Sequence, residues 1–137
     1  MIEQGEKIQV DRQEIRDNRP DETAVSRSSG ELLTQAASEY IEAHFNEKFS
    51  LKKMAGELYV NGCYLLRVFK NHTGYTPLAY HNHIRCERAG ELLLHSDKKI
   101  SDIGGAVGFA SSAHFTHVFK KERGVTPTEY RAAGRAG

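Results

Sequence analysis

From Glu31 onward the chain reads as a series of short amphipathic stripes. In "ELLTQAASEYIEAHF", Leu33, Ala36, Ala37, Tyr40, Ile41 and Phe45 fall on one side of a helix. In "FSLKKMAGELYVNGCYLLRVFKNHTG", Ser50 can cap a helix whose Leu51, Met54, Ala55 and Leu58 recur at i, i+3, i+4 and i+7. A break at Tyr59 and Val60 follows, and Asn61 can cap a second helix with Leu65, Val68 and Phe69 inward. Gly74 ends it in the left-handed conformation that a Cβ disfavours. Two short helices on so tight a turn make a helix-turn-helix. Thr76 then caps, and Pro77 opens, a long helix, "PLAYHNHIRCERAGELLLHS", that can bury Tyr80, Ile84 and Leu92 and is weakened at Gly90.

The plan then repeats. Ser101 and Asp102 start a helix with Ile100, Ile103 and Val107 inward, and Gly108 makes the turn. Phe109 plugs the core as Val60 does, and Ser111 or Ser112 caps a helix with Phe115, Val118 and Phe119 inward. "VFKNHTGYTPLAY", Val68 to Tyr80, and "VFKKERGVTPTEY", Val118 to Tyr130, share Val-Phe-Lys, Gly, Thr-Pro and Tyr at one spacing. The repeat marks the same helix stop, cap and helix start in two units. From core plug to the repeated Phe there are nine steps in the first unit and ten in the second, so the second turn is one residue longer. The pattern predicts an all-α chain of about seven helices: two helix-turn-helix subdomains, 31–76 and 96–131, joined by a linker helix over 77–95. Residues 1–30, which lack aromatics and end in "SRSSG", read as a flexible tail or linker, and 132–137 as a C-terminal tail.

Charge sharpens this division. Net charge is +1, but residues 1–30 hold five Lys/Arg against seven Asp/Glu, and the remaining 107 residues carry a net +3. All twelve Phe and Tyr and all seven His lie in that second part, which is where the chemistry is expected. No run is long and apolar enough for a membrane span, and the charged N-terminus is unlike a secretory signal. Cys63 and Cys86 suggest no disulfide framework, and a reducing cytoplasm is the expected setting. No nucleophile elbow, phosphate loop or metal motif points to an enzyme or a cofactor. The paired glycines of "DIGGAVGF" follow no strand; they permit close helix packing instead.

"ISDIGGAVGFASSAHFTHVFKKERGVTPTEYR", Ile100 to Arg131, resembles the signature region of the AraC/XylS family of bacterial transcription regulators, and the likeness extends over about 31–131. It implies a double-stranded DNA partner, two recognition helices entering successive major grooves, RNA polymerase as a further partner, and activation as the family tendency. Many relatives also carry a sensing or dimerising domain. The chain is therefore expected to be either a stand-alone regulator or the C-terminal part of a longer one.

Carried onto this sequence, the base-contact candidates in the first unit are Gly62, Cys63, Leu66 and Arg67. Arg67 is the strongest, because its fork can pair bidentately with guanine. Leu66 and Cys63 can meet only apolar features such as a thymine methyl. In the second unit the candidates are Ser112, Ala113, His114, Thr116 and His117. Imidazole can donate to guanine N7 or to a phosphate. His114 and His117 are three residues apart, but no third ligand stands at helical spacing, so a metal site is not expected. Phosphate candidates are Lys70, Lys120, Arg85 and the helix N-termini at Ser50 and Ser101. His81 and His83 are read as surface residues and Cys63 as small-residue packing. The competing reading is a helical protein–protein module with the same fold and weak or non-specific DNA binding, which Leu66, Cys63, Ala113 and the low net charge favour.

Overall fold

The computed structural model describes residues 28–136, and among them are seven helices and no strand. They are α1 (Ser29–Ala43), α2 (Leu51–Glu57), α3 (Gly62–Thr73), α4 (Pro77–His95), α5 (Ile100–Ala106), α6 (Ser112–Arg123) and α7 (Pro127–Ala136). The reading of 1–30 as a tail falls, as far as Arg27, outside the described residues. Its last two residues, Ser29 and Gly30, are helical. Ser28 and Glu31 explain this early start. The Glu31 N–H donates to Ser28 Oγ and the Ser28 N–H to Glu31 Oε1, both at 3.0 Å, so each satisfies one of the open donors of the first turn. At the other end, residues 132–136 are not a tail, because α7 continues through them to Ala136.

The caps follow short-range chemistry. Ser50 Oγ accepts from Lys53 N at 3.1 Å, and Asn61 Oδ1 from Cys63 N at 2.8 Å and Tyr64 N at 3.2 Å. Thr76 Oγ1 accepts from Ala79 N and Ser111 Oγ from His114 N. Thr126 and Glu129 close a second reciprocal box ahead of α7. Gly74 and Gly124 end α3 and α6 at φ 81° and 83°, in the left-handed region. At α5 the expectation fails. Lys99 is the cap residue and offers no side-chain acceptor, so Ser101 lies inside the first turn.

Two cores form, one per helix-turn-helix. Ala37, Ile41, Met54, Ala55, Leu65, Phe69 and Ile84 build the first. Cys86, Ala89, Leu93, Ile103, Val107, Phe109, Phe115 and Phe119 build the second. The linker helix α4 contributes to both, Ile84 to one and Cys86, Ala89 and Leu93 to the other. Phe69, Phe115 and Phe119 are completely buried, and each such ring stabilises its unit by roughly 1.5–3 kcal/mol. Gly90 faces Tyr130 of α7, where a Cβ would meet the hydroxyl at 3.4 Å, an ordinary packing distance.

Candidate nucleic-acid interface

The two turns are built alike and differ by one residue. Val60 N–H donates to Ala55 O at 3.0 Å and Phe109 N–H to Gly104 O at 2.9 Å, each reaching back five residues. The residue before each core plug is left-handed, Tyr59 at φ 59° and Gly108 at φ 105°. The second connection then has the additional Ala110 before its cap. From cap to buried Phe, Asn61 to Phe69 and Ser111 to Phe119, the two helices run in the same register.

Burial of Leu65, Val68 and Phe69 turns the opposite face of α3 outward. Cys63, Leu66, Arg67 and Lys70 are exposed there, and Gly62 is half-buried beside Leu51. Burial of Phe115 and Phe119 does the same for α6, exposing Ser112, Ala113, His114, His117 and Lys120, with Thr116 half-buried. Each helix thus presents a strip of side chains starting at its capped N-terminus. Lys120, Lys121 and Arg123 make the last turn of α6 basic, and Lys70 stands in the last turn of α3. Cys63 is exposed on this strip, which corrects its reading as a packed residue.

Tyr64 is absent from the sequence-derived candidates. It is 38% exposed, and the Arg67 guanidinium stands 5.3 Å from its ring centroid. An arginine three residues after an aromatic on a helix is the signal that could have found it. At the matching position of α6, His114 instead sets its ring edge-on to Phe109, 5.3 Å between centroids.

Three further readings are corrected. Arg85 is 6% exposed and faces no solvent phosphate: its Nε–H donates to Phe45 O and its second nitrogen to Glu47 O, both at 2.7 Å. His81 is 3% exposed. Burial and then the nearby Arg85 charge push its pKa down to about 4, outweighing the backbone of His44 and Glu47, which favours the charged ring. Neither ring nitrogen reaches hydrogen-bond geometry, and the ring borders a cavity of about 20 Å³ between α1, the connection after it and α2. His83 lies between two carboxylates, Glu87 on its own helix at 3.4 Å and Glu122 on α6 at 2.5 Å. Ser50 remains at an exposed helix start, whereas Ser101 is exposed within the first turn of α5. Cys86 is fully buried, and that burial pushes its thiol up to about 12. Among the described residues no group of three or more His, Cys, Asp or Glu could hold a metal ion, and no helix is long and apolar enough to cross a membrane.

Residues 54–133 match a family described as a helix-turn-helix domain. The HTH-type transcriptional activator RhaS of Escherichia fergusonii is 39% identical over 92 residues, 67% of this chain and 33% of that protein. The chain spans about a third of the length of the first curated relatives it matches. A transcriptional regulator of Chromobacterium violaceum, described among AraC-type DNA-binding domain-containing proteins, superposes with a TM-score of 0.72 at 31% identity, covering 79% of this chain and 96% of that one. The DNA-binding domain of AdpA, a global transcriptional factor solved in complex with a target DNA, superposes with a TM-score of 0.70 at 29% identity, covering 75% and 93%.

Proposed function

The chain belongs to the AraC/XylS family of transcription regulators, and from that premise we propose that it binds double-stranded DNA sequence-specifically, as an activator, with α3 and α6 in successive major grooves. One observation carries this reading: two helix-turn-helix units in the same cap-to-Phe register, each turning a strip of exposed side chains outward from a capped N-terminus. The solved complex of the AdpA domain with DNA and the naming of RhaS as an activator support it. α4 has 19 residues and at ~1.5 Å per residue runs roughly 28 Å, against the ~34–36 Å between successive major grooves on one face. A linker slightly shorter than the groove repeat would make bending of the duplex part of binding.

On this reading Arg67 reads a guanine from its seat over Tyr64, Ser112, His114, Thr116 and His117 read the second groove, and Lys70 and Lys120 hold phosphates. RNA polymerase is the further partner, with a sensing or dimerising domain where a longer chain supplies one, and the cytoplasm is the setting. Selection of bound duplexes from a random pool, followed by titration at several salt concentrations, tests the proposal. The expected result is an enriched site with two half-sites about one helical turn apart and affinity that falls steeply with salt, because phosphate contacts release counterions. Binding indifferent to both sequence and salt would favour the protein–protein module.

A further inference from the structure

We propose that Arg85 and the segment Phe45–Glu47 staple the two helix-turn-helix units into one rigid reader, so that the chain selects its sites by half-site spacing as well as by base identity. The proposal rests on the DNA-binding reading above. Its starting point is a single guanidinium that touches both units. From α4, Arg85 donates to the carbonyls of Phe45 and Glu47 in the connection between α1 and α2, both at 2.7 Å. The same group lies 5.2 Å from the ring centroid of Phe109, the core plug of the second unit.

Three neighbouring contacts act in the same sense. The Phe45 ring packs against both cores, with the Arg88 guanidinium 4.8 Å from its centroid. The left-handed turn of the second unit lies against the first: a Cβ on Gly108 would be 2.7 Å from Asn46 O and 2.8 Å from both Asn46 Cα and the Arg85 guanidinium. His83 on α4 meets Glu122 in the last turn of α6. None of these groups except Glu122 belongs to a recognition helix, and none is among the base-contact candidates. Their common effect is to remove hinge freedom about α4, which a lone helix carrying Gly90 would otherwise retain.

The consequence for DNA is geometric. One inserted base pair moves a half-site by ~3.4 Å along the axis and turns it by ~35°. Recognition helices locked together cannot follow, and one unit loses its contacts. Loosely tethered units would keep both sets of contacts, at a modest loss of effective concentration.

Two measurements on the full chain test this. In the first, without DNA, nitroxide labels are attached at the exposed Cys63 and at position 117 of the His117→Cys variant, while the buried Cys86 stays unlabelled. The label–label distance should be narrowly distributed and should broaden in Arg85→Met. In the second, with native His117, binding is compared on the selected duplex and on the same duplex with one base pair added between half-sites. The insertion should weaken the wild type about 10–100-fold and Arg85→Met less than about threefold, as expected for loss of one linked site against a flexible tether. Arg85→Lys keeps the charge but loses the two-carbonyl fork, and it replaces Arg85→Met if that variant fails to fold. A broad wild-type distribution, or Arg85 variants that keep the full insertion penalty, would overturn the proposal. A narrow distribution that broadens in Arg85→Met, with no specific duplex bound at any salt, would support the staple and instead overturn the DNA-binding reading, and the spacing claim with it.

Discussion

Tyr59 and Gly108 occupy the same step of two equivalent turns, one residue before the core plug, at φ 59° and 105°. One is the most exposed large hydrophobic side chain among the described residues, at 94%, and the other is held against the backbone of Asn46. The backbone demand is shared, but the space is not.

Substitution at the two positions should therefore act in opposite directions. Tyr59→Gly relieves a left-handed residue worth ~1–2 kcal/mol and gives part of that back through the freer unfolded chain, for a net gain of up to ~1 kcal/mol. Gly108→Ala adds the left-handed penalty and a Cβ 2.7 Å from Asn46 O, and should lose at least ~2 kcal/mol. Urea unfolding of both variants checks the contrast, and equal effects would refute it.

Neighbouring glycines on α5 make a second contrast. A Cβ on Gly104 would lie 2.8 Å from the Phe115 ring, whereas one on Gly105 would meet nothing within 4 Å. Gly104→Ala should destabilise by ~1–3 kcal/mol through overpacking. Gly105→Ala should stabilise by ~0.5–1 kcal/mol through helix propensity. The first unit has Ala55 and Leu65 at the positions of Gly104 and Phe115, a larger residue on α2 matched to a smaller one on α3. Melting temperatures moving in opposite directions are the expected readout.

Acid should weaken the first unit through His81. Its folded pKa of about 4 lies below the ordinary 6.5, so between these values the unfolded chain binds more protons. The stabilisation is complete above pH 6.5 and is lost as pH falls through 4. Between pH 7 and pH 4.5 this amounts to on the order of 2 kcal/mol. His81→Leu should lose correspondingly less stability over that interval in denaturant titrations. A parallel loss in both proteins would remove His81 as the cause.

Base readers and phosphate holders should separate in binding assays. Arg67→Ala should weaken specific binding by ~1–3 kcal/mol and relax preference at one base pair. Lys120→Ala should weaken all sequences alike and flatten the salt dependence by about one ion. Tyr64→Ala, which removes the ring beneath the Arg67 guanidinium, should share part of the Arg67 effect. Unchanged sequence preference in Arg67→Ala would exclude it as a reader.

The sequence by itself determined what closes over short stretches of chain. Ser50, Asn61, Thr76 and Ser111 cap because their acceptors reach N–H groups two or three residues ahead. Gly74, Gly108 and Gly124 turn because the backbone conformation they adopt is local, and the inward stripes follow from helical period. Seven helices, two repeated units and the outward strips of α3 and α6 were legible on that basis. Arg85, His81 and His83 were not. Its charge and helix position make Arg85 a phosphate candidate, yet its carbonyl partners lie 40 and 38 residues away. Glu122, the partner of His83, lies 39 residues away. A polar side chain on a helix takes its role from whatever the fold brings alongside it, and only the packing of α4 between two cores decided that these residues face inward.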